Sequence, residues 1–136
     1  DWANSKGAFI ITGGLGGLGL KSAKVLIQLG IKNIVPVLAT EQHVQLPEGS
    51  VDLAVLVDVY HELQYPVEVM TSLAKALKPG GQIALVEFRA EDAKVPILPL
   101  HKMSEAQIKK EAALLGLTWV RTIATLPWQH VVILTK

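Results

Sequence analysis

Apolar residues recur along this chain in short runs that are separated by stretches rich in glycine, proline or charge. These runs are β-branched or continuously apolar, as in buried strands. Six segments are therefore predicted strands: 7–12, 33–39, 51–59, 82–88, 117–126 and 130–136. Only three residues separate the last two segments, so we expect them to pair as an antiparallel hairpin.

Helical patterns occupy the intervals between the predicted strands. Segment 20–30 has apolar residues at helical spacing, and segment 66–81 begins with Pro66 and ends at Pro-Gly-Gly. Segment 104–116 carries the clearest end signals, a capping box from Ser104 to Gln107 and the terminal Gly116. Segment 40–50 has no clear period and is predicted to be a loop.

The alternation of strands and helices predicts a single α/β domain over residues 1–136. We expect a Rossmann-like, doubly wound, mostly parallel six-stranded sheet with a C-terminal antiparallel hairpin. The expected strand order is two, one, three, four, six, five, with the final strand antiparallel. The second strand, 33–39, would lie at an edge, where it could form a homodimer by edge pairing.

A glycine-rich turn, TGGLGGLG, follows the first predicted strand directly. Gly13 permits a tight turn, Gly17 allows close approach to a pyrophosphate, and Gly19 allows the helix to pack on the strand. Together with Thr12 and Leu18, these glycines are candidate cofactor-binding residues. The alternative is a strand-to-helix turn that binds nothing.

Composition narrows the function classes. The 136 residues have a net charge of +1, no cysteine and no long apolar run, so we expect no nucleic-acid partner, disulfide or membrane span. The four histidines are scattered in sequence, so no metal site is predicted. The opening DWANSK suggests an excised or engineered segment, and a cytoplasmic location is expected.

Residues 7–35, GAFIITGGLGGLGLKSAKVLIQLGIKNIV, resemble the ketoreductase branch of the short-chain dehydrogenase/reductase family. That resemblance implies NADPH, with its pyrophosphate against the glycine turn. The family's Tyr-x-x-x-Lys pair is absent, because Tyr60 is followed by Gln64 and Tyr65 by Val69. The reductase chemistry is therefore not expected.

From about residue 33 to 136 the chain resembles the C-terminal part of class I S-adenosylmethionine-dependent methyltransferases. The stretches VDLAVLVDVYHEL, LKPGGQIALVEF and the closing strand pair carry this resemblance. It implies that Asp58 and His61 lie at the carboxyl end of the central strand, where either could orient a substrate or accept a proton. Alternatively, Asp58 accepts backbone amides to close the strand, with His61 and Glu62 on a solvated turn.

The methyltransferase pattern is also incomplete, because its acidic glycine-rich opening loop is missing. Glu41 is the acid near the end of the second predicted strand. It could contact a ribose hydroxyl of either nucleotide, or it could be a solvated loop residue.

These observations favour a chimera with a reductase-like β-α unit (1–35) and a methyltransferase-like remainder (36–136). We expect an engineered or recombined Rossmann-like scaffold that at most binds NAD(P) or S-adenosylmethionine, without metal and without catalytic residues. The candidate cofactor-binding residues are Thr12, Gly13, Gly17, Leu18, Gly19, Glu41 and Asp58. The alternative is an S-adenosylmethionine-dependent methyltransferase, intact or degenerate.

Overall fold

The computed structural model describes residues 9–11, 21, 24, 25, 28 and 37–136. Its strands are β1 (Phe9–Ile11), β2 (Val51–Val57), β3 (Leu77–Arg89), β4 (Lys102–Met103), β5 (Thr118–Ile123) and β6 (Gln129–Thr135). Its helices are α1 (Pro66–Ala76) and α2 (Glu105–Leu114), with 3-10 turns at Tyr60–Glu62 and Pro99–His101. The four described residues of segment 20–30 are helical as well.

The strands form one mixed sheet in the order β1-β2-β3-β6-β5, and the short β4 pairs with the end of β3. The pairs β1–β2, β2–β3 and β3–β4 are parallel. Strand β6 is antiparallel to both β3 and β5. The α/β class, the C-terminal hairpin and the order of the five predicted strands that are described are thereby confirmed.

The predicted second strand, 33–39, is not confirmed as part of this sheet. Residues 37–39 are in coil rather than in a strand, and residues 33–36 lie outside the described part. The sixth strand is instead β4, in a stretch for which the sequence predicts no strand. The described sheet is mixed: β1 to β4 pair in parallel, and β6 is antiparallel, as expected of the final strand. Edge pairing into a homodimer stays a prediction.

The junction between α1 and β3 differs from the expected one. The helix ends at Ala76 rather than at residue 81, because the residue before Pro79 disfavours helical backbone. Leu77 already pairs with Val51, and the register then shifts so that Gln82 pairs with Leu53. A Cβ at Gly81 would lie 2.9 Å from the Val51 carbonyl oxygen, so this close approach of two strands requires glycine.

Helix α2 begins and ends where the sequence signals lie. The Ser104 hydroxyl accepts a hydrogen bond from the Gln107 amide at 3.1 Å, but the Gln107 side chain donates to Glu111 instead of completing the capping box. At the other end the Leu117 amide donates to Ala112 O, and Gly116 has a φ of 71°. This is a Schellman motif, in which glycine accepts the left-handed conformation without strain.

Both described helices pack on one face of the sheet. Their buried residues join the inward-facing side chains of β2, β3 and β6 in one apolar cluster, which includes Leu56, Met70, Leu73, Ile83, Leu85, Ile108 and Leu134. The loop 40–50 borders this cluster, with Val44 and Leu46 packed against it. Within the described residues, no helix has the length and apolar character that a bilayer span requires.

The turn between β5 and β6 is held against β3 by Arg89. The Arg89 guanidinium donates hydrogen bonds to the carbonyl oxygens of Leu126, Pro127 and Gln129. The link between the strands is five residues, 124–128, because β5 ends earlier than its apolar pattern suggests. Arg89 satisfies carbonyl groups that this longer turn leaves outside the strand ladder.

Gly116→Ala tests the left-handed cap of α2. No atom lies within 4 Å of the added methyl group, so the cost is conformational, and we expect the free energy of unfolding to fall by about 1 to 2 kcal/mol. Gly116→Asn is the matched control, since asparagine tolerates this conformation better. Equal losses for the two variants in urea denaturation would contradict the explanation.

His130 predicts a pH dependence of stability. Burial lowers the pKa of this side chain, the Glu91 and Glu105 carboxylates raise it less, and Arg89 lowers it further. Because the unfolded chain then binds the proton more readily, the free energy of unfolding should fall as the pH drops below about 6.5. Urea denaturation at pH 7.5 and 5.5 should show a smaller pH effect for His130→Gln than for His43→Gln, the exposed control. An equal effect in both variants would overturn the assignment.

Candidate functional site

The candidate site lies where the neighbouring parallel strands β2 and β3 end. The chain leaves β2 through Asp58 and then forms the 3-10 turn Tyr60–Glu62, while Glu87 is near the end of β3. Ligand sites of α/β sheets occupy this carboxyl edge, because the loops that follow the strands diverge there and leave a crevice.

Asp58 has backbone geometry that is unusual for a residue with a side chain. Its φ is 50°, in the left-handed region that aspartate tolerates better than most residues do. The backbone amide donates to Val86 O at 2.9 Å, and Oδ2 accepts a hydrogen bond of 2.7 Å from the Gln129 side chain. The other oxygen, Oδ1, is buried and has no hydrogen-bond partner among the described residues. Strained backbone and an unpaired carboxylate oxygen are features that recur at binding sites.

Glu87 is a carboxylate with no solvent exposure, and both of its oxygens have partners. Oε1 accepts the Tyr60 backbone amide at 2.9 Å, and Oε2 lies 2.5 Å from His61 Nδ1. Burial raises the pKa of Glu87, and the contact with His61 opposes that rise. A proton on Nδ1 satisfies the carboxylate, so the contact holds the ring in one orientation and one tautomer.

In the tautomer with the proton on Nδ1, the other ring nitrogen, Nε2, presents a lone pair to its neighbours. That nitrogen lies 3.3 Å from His101 Nδ1 and 3.7 Å from Glu62 Oε1. His101 Nδ1 is 3.6 Å from the same Glu62 oxygen. Two histidines that are forty residues apart in sequence thus meet, because β4 pairs with β3 and brings the turn Pro99–His101 beside the turn Tyr60–Glu62.

A small cleft of about 190 Å³ opens beside His61. Its walls combine apolar and polar side chains: Tyr60, His61, Leu63, Pro66, Leu100, Lys102, Met103, Gln107 and Glu111. The Tyr60 hydroxyl donates to Glu111 Oε2 at 2.7 Å. Burial, followed by the neighbouring Glu111 carboxylate, raises the pKa of Tyr60, so this hydroxyl stays protonated and serves as a hydrogen-bond donor.

The structure brings together only part of the predicted site. Thr12, Gly13, Gly17, Leu18 and Gly19 lie outside the described residues. Glu41 lies in an exposed turn that Thr40 and His43 close by hydrogen bonds, beside an open depression lined by 39–42. Asp58 lies at the carboxyl edge, as the methyltransferase resemblance implied.

The alternative interpretation fits the structure for Glu62, whose side chain is 61% exposed, but not for Asp58 and His61. Asp58 accepts a side-chain amide rather than backbone amides, and the His61 side chain is 6% exposed rather than solvated. Sequence reasoning also missed Glu87, Glu111 and His101. The available signal for Glu87 was an acid near the end of the apolar run QIALVEF. That run is the next predicted strand after VDLAVLVDV.

Comparison with known proteins shows that part of the chain is similar to methyltransferases. A family model described as "Methyltransferase domain" matches residues 20–85. Demethylmenaquinone methyltransferase of Chlamydia trachomatis is 30% identical over 61 residues, which are 45% of this chain and 27% of that protein. The chain thus spans about a quarter of the length of the curated relatives it matches.

Solved structures of methyltransferases share the fold. A SAM-dependent methyltransferase from Aquifex aeolicus has a TM-score of 0.73 at 20% identity, covering 93% of this chain and 66% of that one. The O-methyltransferase NcsB1 from neocarzinostatin biosynthesis, solved with S-adenosylmethionine and 2-hydroxy-5-methyl naphthoic acid, has a TM-score of 0.70 at 21% identity. That match covers 99% of this chain and 50% of NcsB1.

These findings correct the expectation of a non-catalytic chimeric scaffold. The family match starts at residue 20, inside the segment that resembles reductases, and continues across the expected junction at residues 35 and 36. The comparisons support neither the reductase resemblance nor NAD(P) as cofactor. The chain has the fold of S-adenosylmethionine-dependent methyltransferases and resembles that family in sequence over residues 20–85.

Proposed function

We propose that this chain is the donor-binding domain of an S-adenosylmethionine-dependent methyltransferase. The observation that carries the proposal is the buried Glu87–His61 pair, at the carboxyl edge of a sheet that has the methyltransferase fold. The pair holds the His61 ring beside a cleft, and buried ionisable groups with shifted pKa values cluster at functional sites.

Asp58 supports the binding of the methyl donor. S-adenosylmethionine carries an ammonium and a sulfonium cation, and the buried Oδ1 of Asp58 offers a negative charge without a hydrogen-bond partner among the described residues. Gly13, Gly17 and Gly19, which follow β1 in sequence, remain candidate donor-binding residues. The bound donor supplies an electrophilic methyl group.

His61 acts on the methyl acceptor. An acceptor hydroxyl must lose its proton when its oxygen takes the methyl group. A general base beside the hydroxyl favours that loss at neutral pH. His61 can serve this purpose in two ways. Its Nε2 accepts the proton itself, or Nε2 binds an ion that lowers the pKa of the acceptor hydroxyl. Glu87 is a positioning residue in both routes, because it keeps the proton on Nδ1.

The cleft limits the kind of acceptor. Its volume of about 190 Å³ is below the range of about 300 to 1,000 Å³ that is usual for drug-sized ligands, so it suits a single small group. Leu63, Pro66 and Leu100 offer apolar contact, while Tyr60 and Gln107 offer hydrogen bonds. A phenol or another hydroxylated ring fits this mixture.

Donor binding can be measured by calorimetry with S-adenosylmethionine. We expect saturable binding that weakens about tenfold in Asp58→Asn, because an opposite charge near the donor cation is removed. Asp52→Asn, at the other end of β2, should bind as the original chain does. Failure of the original chain to bind, or equal binding by both variants, would contradict the role given to Asp58.

Glu87→Gln tests the tautomer of His61. The new side-chain amide would donate a hydrogen bond to Nδ1 and place the ring proton on Nε2. His61 Nε2 would then have no lone pair with which to accept a proton. We expect the kcat of methyl transfer to phenol and 2-naphthol, followed as S-adenosylhomocysteine release, to fall about 10- to 100-fold with little change in donor affinity. Glu68→Gln, an exposed exchange on α1, should be silent. An unchanged kcat in a folded Glu87→Gln variant would contradict the positioning role proposed for Glu87.

A further inference from the structure

We propose that His61, His101 and Glu62 form a binding site for a divalent transition-metal ion. Their three candidate ligand atoms, His61 Nε2, His101 Nδ1 and Glu62 Oε1, are separated by 3.3, 3.6 and 3.7 Å. All three atoms therefore lie close enough together to share one ion. His61 and Glu62 come from the turn Tyr60–Glu62, and His101 comes from the turn Pro99–His101.

The size of this triangle fits one small ion. Tetrahedral zinc binds histidine nitrogen and carboxylate oxygen at about 2.0 to 2.2 Å, which places neighbouring ligand atoms about 3.3 to 3.6 Å apart. The separations of 3.3 and 3.6 Å lie within that range, and the separation of 3.7 Å lies just above it. Two histidines and one carboxylate leave a fourth position open, which is the ligand count of catalytic rather than structural zinc sites.

Glu87 gives the site a second layer. Metal-binding histidines usually donate their other ring N–H to a carboxylate, which fixes the tautomer and raises the basicity of the ligand nitrogen. His61 does so through Nδ1 and the fully buried Glu87, whose other oxygen is held by the Tyr60 amide. The buried carboxylate therefore orients the lone pair that the ion would take.

The donor set selects the class of ion. Imidazole nitrogen with one carboxylate suits zinc, cobalt or nickel, whereas calcium and magnesium prefer all-oxygen sites. The His101 side chain is one-third exposed and that of Glu62 is 61% exposed, so an ion can enter from solvent. His61, in contrast, borders the cleft and connects the ion to the acceptor.

The role of the ion rests on the proposed function. An acceptor hydroxyl in the open fourth position would give its oxygen lone pair to the ion, and its pKa would fall. Its proton would then pass to solvent, and the oxygen would attack the methyl carbon while the bond from that carbon to the sulfonium sulfur breaks, which releases S-adenosylhomocysteine. In this route the ion would activate the acceptor, and His61 would serve as one of its ligands rather than as the base.

Cobalt(II) titration of the whole chain tests the site directly, because tetrahedral cobalt has intense visible absorption that hexahydrated cobalt lacks. We expect one equivalent to bind with that spectrum. The spectrum should be lost in His101→Ala and in Glu62→Gln, and kept in His43→Ala, a histidine in the exposed turn at Thr40. Glu87→Gln should weaken binding about 10- to 100-fold while all three ligands remain.

The opposite results overturn the proposal. These are the absence of tetrahedral absorption in the original chain, or absorption that survives His101→Ala and disappears with His43→Ala. Calorimetry with S-adenosylmethionine on the same variants separates this outcome from failure of the proposed function. A chain that binds the donor but not cobalt refutes only the metal site, and a chain that binds cobalt but not the donor refutes only the methyltransferase proposal.

Discussion

A carboxylate buried without solvent contact at the end of β3 constrains the whole candidate site. Such a group is costly to bury unless each oxygen has a donor, and Glu87 obtains its two donors from Tyr60 and His61. Those donors are available only if the chain turns sharply after β2. The 3-10 turn Tyr60–Glu62 supplies that geometry, so the electrostatics of one side chain and the path of the backbone are mutually dependent.

The same requirement extends to the neighbouring segments. The orientation of His61 places Nε2 against His101, which reaches this position because β4 pairs with β3. On the other side of β3, Gln129 of β6 donates to Asp58. The antiparallel hairpin thus contributes to the same edge of the sheet as the parallel strands. Polar contacts between adjacent strand ends, rather than any one loop, give the site its shape.

Much of the fold followed from local patterns. The continuous apolar run of β2, the short link of the hairpin and the cap residues Ser104 and Gly116 each predicted the element that is present. The failures also had local causes. Pro79 shortened α1, and β4 has only two residues, too few to leave an apolar pattern. The chimera hypothesis failed because a glycine-rich turn is common to several nucleotide-binding families and does not identify one of them.

The sequence by itself determined most of the strands and helices, because periodicity and end signals act over a few residues. Its resemblance to methyltransferases also implied that Asp58 and His61 lie at the carboxyl end of a central strand. Only the tertiary structure decided that Glu87 and His101 join them, since those residues are 26 and 40 positions from His61. Contacts at such separations depend on strand order and register, which no local pattern encodes.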